Sequence, residues 1–206
     1  MTSQLTVATY PRATVILRDV AVELADAVVQ TIADERLSIA VEITRNSANF
    51  SDIERYAGEH PQLAIGAGTV LDVADAQAAI DLSCRFVLSP VILDRSVVDL
   101  CHAAGLLVVP GAYTPSEIYT AVRNEADIVK VFPIGQLPAS YIKDIRAPLG
   151  NVPIMGVGGV SIANMGELFS RGVDYVGLGS SLFDEAPPSR EQIQFVLREL
   201  ACEAQR

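Results

Sequence analysis

Along the chain, short and almost uninterrupted apolar runs alternate with longer segments whose apolar residues recur at helical spacing. The run "ATVILR" (13–18) precedes the amphipathic "VELADAVVQTIADE" (22–35), and the same rhythm continues through the chain. Seven further runs follow: "SIAVEIT" (38–44), "LAIGAGT" (63–69), "RFVLSP" (85–90), "LLVVPGA" (106–112), "DIVKVFP" (127–133), "VPIMGVGG" (152–159) and "YVGLGS" (175–180). Runs this continuously apolar predict strands covered on both faces, as in a parallel sheet flanked by helices. Between them lie helix signals such as "TPSEIYTAV", with Thr114 as N-cap, Pro115 as the first helical residue and Glu117 closing a capping box. The last segment, "REQIQFVLRELACEAQ", puts Ile193, Val196, Leu197, Leu200 and Ala201 on one stripe.

Eight strand–helix units in 206 residues predict an α/β fold, the (β/α)8 TIM barrel, at the compact end of its size range. A doubly wound open sheet is the alternative, but the Gly-rich dinucleotide fingerprint expected after its first strand is missing. No linker, charge block or low-complexity tract interrupts the rhythm, so residues 1–206 read as a single barrel domain.

Composition narrows the partners. The formal charge is −10, and none of the 15 basic residues forms a dense run, which argues against nucleic acid or an anionic membrane surface. No apolar run reaches the ~18 residues of a membrane span, and no signal-peptide pattern opens the chain. A cytoplasmic protein with a small soluble ligand is the expectation. Cys84, Cys101 and Cys202 are widely spaced and fall in or beside helical segments, so they read as reduced packing residues.

Lys130 stands out, because it interrupts the apolar run of Ile128, Val129, Val131 and Phe132. A buried ammonium is costly. The only other lysine is Lys143, so arginine supplies nearly all the positive charge, and the buried strand still carries the side chain able to shed a proton and attack a carbonyl. A barrel builds its site at the C-terminal ends of its strands. Lys130 belongs to the sixth run and Glu42 to the second, two even-numbered strands whose inward side chains share layers, so amine and carboxylate face one another across the interior. A purely structural buried ion pair is the competing reading.

The glycine clusters "GVGGV" (156–160) and "GLGSS" (177–181) follow the last two strands, where barrels commonly bind phosphate. His60 sits in a turn and His102 in a helix, and no cluster has metal-ligand spacing, so no catalytic metal and no other cofactor is expected. Arg18 closes the first strand, next to the second, placed to hold a carboxylate, with a helix cap or a pair with Asp19 as the competing reading. Strand alternation turns Glu42, Thr44 and Asn46 inward and Arg45 towards the helices.

The motifs "VEIT", "IGAGTVL", "LSP", "VVPGAYTPSE", "IVKVFP" and "GVGGV" with "GLGSSLF", in that order, resemble the class I keto-deoxy-phosphogluconate, keto-deoxy-phosphogalactonate and hydroxy-oxoglutarate aldolase family. The resemblance implies a metal-independent aldehyde-lyase, usually a homotrimer, that splits a phosphorylated 2-keto-3-deoxy sugar acid into pyruvate and glyceraldehyde phosphate. It implies Lys130 as the Schiff-base lysine and Glu42 as the acid/base. Thr69, Pro90 and Phe132 then stand at substrate-contacting positions, and Gly158, Gly159, Gly179 and Ser180 at phosphate-loop positions.

Two departures bear on the substrate. The gluconate branch reads E-V-T-L-R where this chain reads Glu42-Ile43-Thr44-Arg45-Asn46, so Asn46 takes the place of the carboxylate-binding arginine. It also has P-T-G-G where this chain has Gly156-Val157-Gly158-Gly159. In both places, and at Arg18, the sequence is more similar to the galactonate branch. A 4-hydroxy-2-oxoglutarate aldolase is the alternative within the family. Outside it stand a thiamine-phosphate synthase or pentose-phosphate epimerase type of barrel, and a catalytically retired barrel that only binds a sugar phosphate or a partner protein.

Overall fold

The computed structural model describes residues 4–179, 182–183 and 188–206. Its strands are β1 (Ala13–Leu17), β2 (Ile39–Thr44), β3 (Ile65–Gly68), β4 (Phe86–Leu88), β5 (Leu107–Val109), β6 (Gly111–Ala112), β7 (Val129–Val131), β8 (Ile154–Val157) and β9 (Tyr175–Leu178). The helices are α1 (Val22–Asp34), α2 (Asp52–Glu59), α3 (Val73–Asp81), α4 (Arg95–Ala103), α5 (Pro115–Arg123), α6 (Tyr141–Leu149), α7 (Ile162–Ser170) and α8 (Arg190–Ala204). Every strand pairing is parallel, in the order β5-β4-β3-β2-β1-β9-β8-β7-β6.

The expected barrel is present, and its fifth run forms one stave broken in two. Pro110 separates β5 from β6, because proline brings no N–H to a ladder. β5 pairs with β4 and β6 with β7, while the Pro110 carbonyl still accepts the Lys130 N–H at 2.8 Å, so the ring closes through the chain itself. Lys130 therefore lies on the sixth stave, labelled β7.

Two apolar clusters follow from strand alternation. One joins outward strand residues such as Val15, Ile43 and Ile65 to the helices. The other fills the barrel with Ile16, Ala40, Phe86, Leu107, Ile128 and Met155. Its lower end is plugged by the residues before β1. Tyr10 packs edge-on against Phe86 and Tyr175, and its hydroxyl meets Thr14 Oγ1 at 2.8 Å. Nothing in the periodicity announced this plug.

Local signals act as the sequence suggests. The Thr114–Glu117 capping box opens α5 behind Pro115, and Ile193, Leu197, Leu200 and Ala201 bury the inner face of α8. Cys84 and Cys101 are buried free thiols, whereas Cys202 is exposed, so the packing role expected of all three fails for the last. The outer face of α8 carries Cys202 towards solvent. No helix among the described residues is long and apolar enough to cross a membrane.

Candidate active site

Glu42 and Lys130 both belong to the inward-facing series, which on β2 also contains Ala40 and on β7 continues from Ile128. Glu42 pairs in register with Ile16 and Gly66, and Lys130 with Gly111 and Met155. Both are almost fully buried, at 2% and 6% exposure, so neither charge has water to stabilise it. Burial pushes the Glu42 carboxyl above its usual range, opposed by the nearby Lys130 and Arg18 cations. Burial pushes the Lys130 ammonium below its ordinary value, opposed by Glu42 and assisted by Arg18. Each group is moved towards its neutral form, which for lysine is the nucleophile and for glutamate the proton donor. Glu42 Oε2 has no hydrogen-bond partner among the described residues. A carboxylate whose job was a saturated structural pair would not leave that oxygen bare.

Gly68 makes room for this carboxyl. A Cβ there would lie 1.4 Å from Glu42 Oε1, a clash no side-chain adjustment of a tenth or two relieves. The next residue, Thr69, holds φ at 60°. A β-branched residue in the left-handed region costs about 1–3 kcal/mol and persists only where surrounding structure imposes it.

Above the barrel opens a cavity of about 450 Å3, lined among others by Arg18, Phe132, Gly158, Gly159, Ser161 and Gly179. Ile16, the register partner of Glu42, and Phe132, whose ring centre lies 5.6 Å from Lys130 Nζ, join the cavity to the buried pair. Arg18 is exposed and makes no ion pair among the described residues, so its charge is available to an anion. Gly158 sits at φ 85°, where a Cβ would come within 2.9 Å of Pro133 Cβ and 3.0 Å of Phe132 Cδ2. Only glycine brings the backbone this close. Asn164 holds the same loop: its Oδ1 accepts the Ser161 N–H at 2.9 Å and its Nδ2 donates to the Gly159 carbonyl at 2.8 Å.

Of the residues singled out from sequence, the structure gathers Arg18, Phe132, Gly158, Gly159 and Gly179 around this cavity. Glu42 and Lys130 lie in the barrel interior adjoining it. Thr69 and Pro90 are half-buried at the exits of β3 and β4. Asn46 lies on an exposed turn, because β2 ends at Thr44 and its alternation stops there. Ser180 falls outside the described residues. Arg45 turns away and pairs with Asp75 of α3, while its N–H donates to the Gly68 carbonyl at 2.9 Å. Sequence reasoning missed Ser161 and Asn164, although the S-x-x-N spacing at the start of a helix was there to be read as a capping signal.

His60 caps α2 and His102 bonds Asp127 at 2.9 Å, away from the cavity lining. No group of three or more His, Cys, Asp or Glu able to hold a metal ion occurs among the described residues.

A parallel barrel that buries a lysine and a carboxyl in its interior, beside a cavity lined by an arginine and glycines, defines the class as an α/β-barrel enzyme. The comparisons agree. The family model "Aldolase: KDPG and KHG aldolase" matches residues 9–197, and the chain belongs to that family. It is 35% identical over 190 residues to the "Probable 2-dehydro-3-deoxy-6-phosphogalactonate aldolase" of Rhizobium meliloti, covering 91% of this chain and 89% of that one. It is 31% identical to the "2-dehydro-3-deoxy-6-phosphogalactonate aldolase" of Escherichia coli, with 82% of each chain covered. The solved "Native KDPGal structure" superposes with a TM-score of 0.83 at 28% identity, over 100% of this chain and 98% of that one. The thiamine phosphate pyrophosphorylase of Pyrococcus furiosus shares the fold alone, with a TM-score of 0.67 at 17% identity over 97% of this chain and all of that one.

Proposed function

We propose that this protein is a class I aldolase that cleaves 2-dehydro-3-deoxy-6-phosphogalactonate to pyruvate and glyceraldehyde 3-phosphate. The neutral Lys130 amine attacks the C2 carbonyl, and protonated Glu42 gives its proton to the departing hydroxyl, so that loss of water leaves an iminium and a Glu42 carboxylate. Glu42, as carboxylate, takes the proton of the C4 hydroxyl while the C3–C4 bond breaks and its electron pair passes into the iminium. The aldehyde departs. Glu42 returns its proton to C3 of the remaining enamine, and water hydrolyses the imine, releasing pyruvate and the free amine. Arg18 holds the substrate carboxylate bidentately, and the backbone around Gly158, Gly159 and Gly179 receives the phosphate.

The observation that carries this reading is the buried pair, Lys130 depressed and Glu42 raised, adjoining the cavity that Arg18 lines. The galactonate isomer is favoured by the names of the two relatives above and by Val157, which lines the cavity where the gluconate branch carries threonine. The cytosol, where free cysteines persist, is the proposed location. A homotrimer is the proposed assembly, supported by exposed Leu71, Val73, Val91 and Tyr119 on three consecutive loop–helix sectors after β3, β4 and β6.

Incubation with pyruvate and borohydride tests the mechanism. The expected product is a reduced pyruvyl adduct mapped to Lys130. Modification at Lys143, or at no lysine, overturns it. Faster cleavage of the gluconate than of the galactonate isomer would refute the substrate assignment while leaving the chemistry intact.

A further inference from the structure

A serine that does not line the cavity accepts a hydrogen bond from the peptide that follows the arginine at the cavity rim. Arg18 follows the end of β1, and the next residue, Asp19, stands in the left-handed region at φ 52°. A chain turning this sharply needs its peptide planes fixed if the preceding side chain is to keep one direction. The Asp19 N–H, which belongs to the Arg18–Asp19 peptide, donates to Ser47 Oγ at 3.0 Å. Ser47 comes from a different loop, the turn after β2, and is itself buried. Its Oγ also meets Thr44 Oγ1 at 2.6 Å, and its N–H donates to the Thr44 carbonyl at 2.9 Å. Thr44 is fully buried on the barrel-interior face of β2, two residues beyond Glu42.

The link therefore runs from the strand that carries the candidate acid, through two hydroxyls, to the peptide that carries the candidate anion-binding arginine. We propose that Ser47 is a positioning residue for Arg18, fixing the guanidinium over the site through the Arg18–Asp19 peptide. This rests on the aldolase reading above. Ser47 bears no charge and does not line the cavity. Its effect on binding must pass through Arg18.

That requirement makes a double-mutant cycle the test. The half-saturating pyruvate concentration for borohydride trapping is measured in wild type, Ser47→Ala, Arg18→Ala and the double variant. Loss of one neutral hydrogen bond corresponds to a rise of about three- to ten-fold in Ser47→Ala. In the Arg18→Ala background the same change should move the value less than about twofold, since the positioned group is gone. An equal rise in both backgrounds overturns the proposal, because a merely structural role adds independently. No rise when Arg18 is present overturns it too. Should Ser47→Ala fail to fold, Thr44→Val cuts the same link at its far end and takes its place in the cycle. Normal trapping in wild type with unchanged half-saturation in Ser47→Ala defeats the positioning role alone. Absence of any trapping in wild type defeats the aldolase reading and the positioning role with it.

Discussion

Lys130 combines a cost to the fold, the burial of its amine, with the nucleophile of the proposed chemistry. Its pKa lies below the ordinary 10.5, so the unfolded chain binds more protons than the folded one in the interval between. The lysine thus gives its full contribution to stability only above pH 10.5 and loses it as the pH falls towards the folded value. Lys130→Met, similar in length and uncharged, should abolish activity and flatten the rise of melting temperature with pH that wild type shows, since it removes the group whose protonation opposes the fold. A series of melting curves between pH 7 and 10 will check this, and a variant as pH-dependent as wild type would contradict it. The two arginines near the strand ends separate in the same way. Arg18→Ala should lower kcat/KM by a factor of about 10–150, as expected for a charged hydrogen bond. Arg45→Ala should do much less, because its partner is Asp75 on the outer side of the barrel. Kinetics in which the Arg45 variant is the crippled one would refute the assignment.

Elements place these side chains by register and by where strands stop. Alternation on β2 puts Glu42 inside, and the same alternation fails for Asn46 because a turn intervenes after Thr44. Strand ends are set by where hydrogen-bonding partners run out, and an apolar run does not mark that point to the residue. Helix capping was easier to see, because Thr114, Pro115 and Glu117 act within one turn of chain. Gly68 tests the register directly. Gly68→Ala puts a methyl on Glu42 Oε1, so the carboxyl must move and turnover should fall by at least about tenfold, the scale of a misplaced catalytic group. Gly58→Ala, in α2 with nothing within 4 Å of its Cβ, should instead add up to about 1 kcal/mol of stability and leave kinetics alone. Denaturant midpoints and kcat on the two variants give the contrast, and a fully active Gly68→Ala would contradict the placement of Glu42.

At the scale of the whole molecule, the exposed apolar residues Leu71, Val73, Val91 and Tyr119 predict association. Sedimentation should give three times the 22.0 kDa chain mass, and Leu71→Glu with Tyr119→Glu should shift it to monomer. A wild-type monomer at micromolar concentration would remove the trimer. What the sequence by itself determined is the barrel and the lysine and glutamate that its interior buries. Parallel strands covered on both faces must read as continuous apolar runs, and a lysine breaking one of them is visible without coordinates. The break at Pro110 was also written in the chain, though its effect on the ladder was not. Only the tertiary structure decided the Tyr10 plug, the turn that carries Asn46 out of the strand, and the Asp19–Ser47–Thr44 link. These depend on which distant segments closure of the barrel brings together. Asp19 and Ser47 are 28 residues apart, and no local pattern in either loop encodes the meeting, because their contact is set by the pairing of β1 with β2.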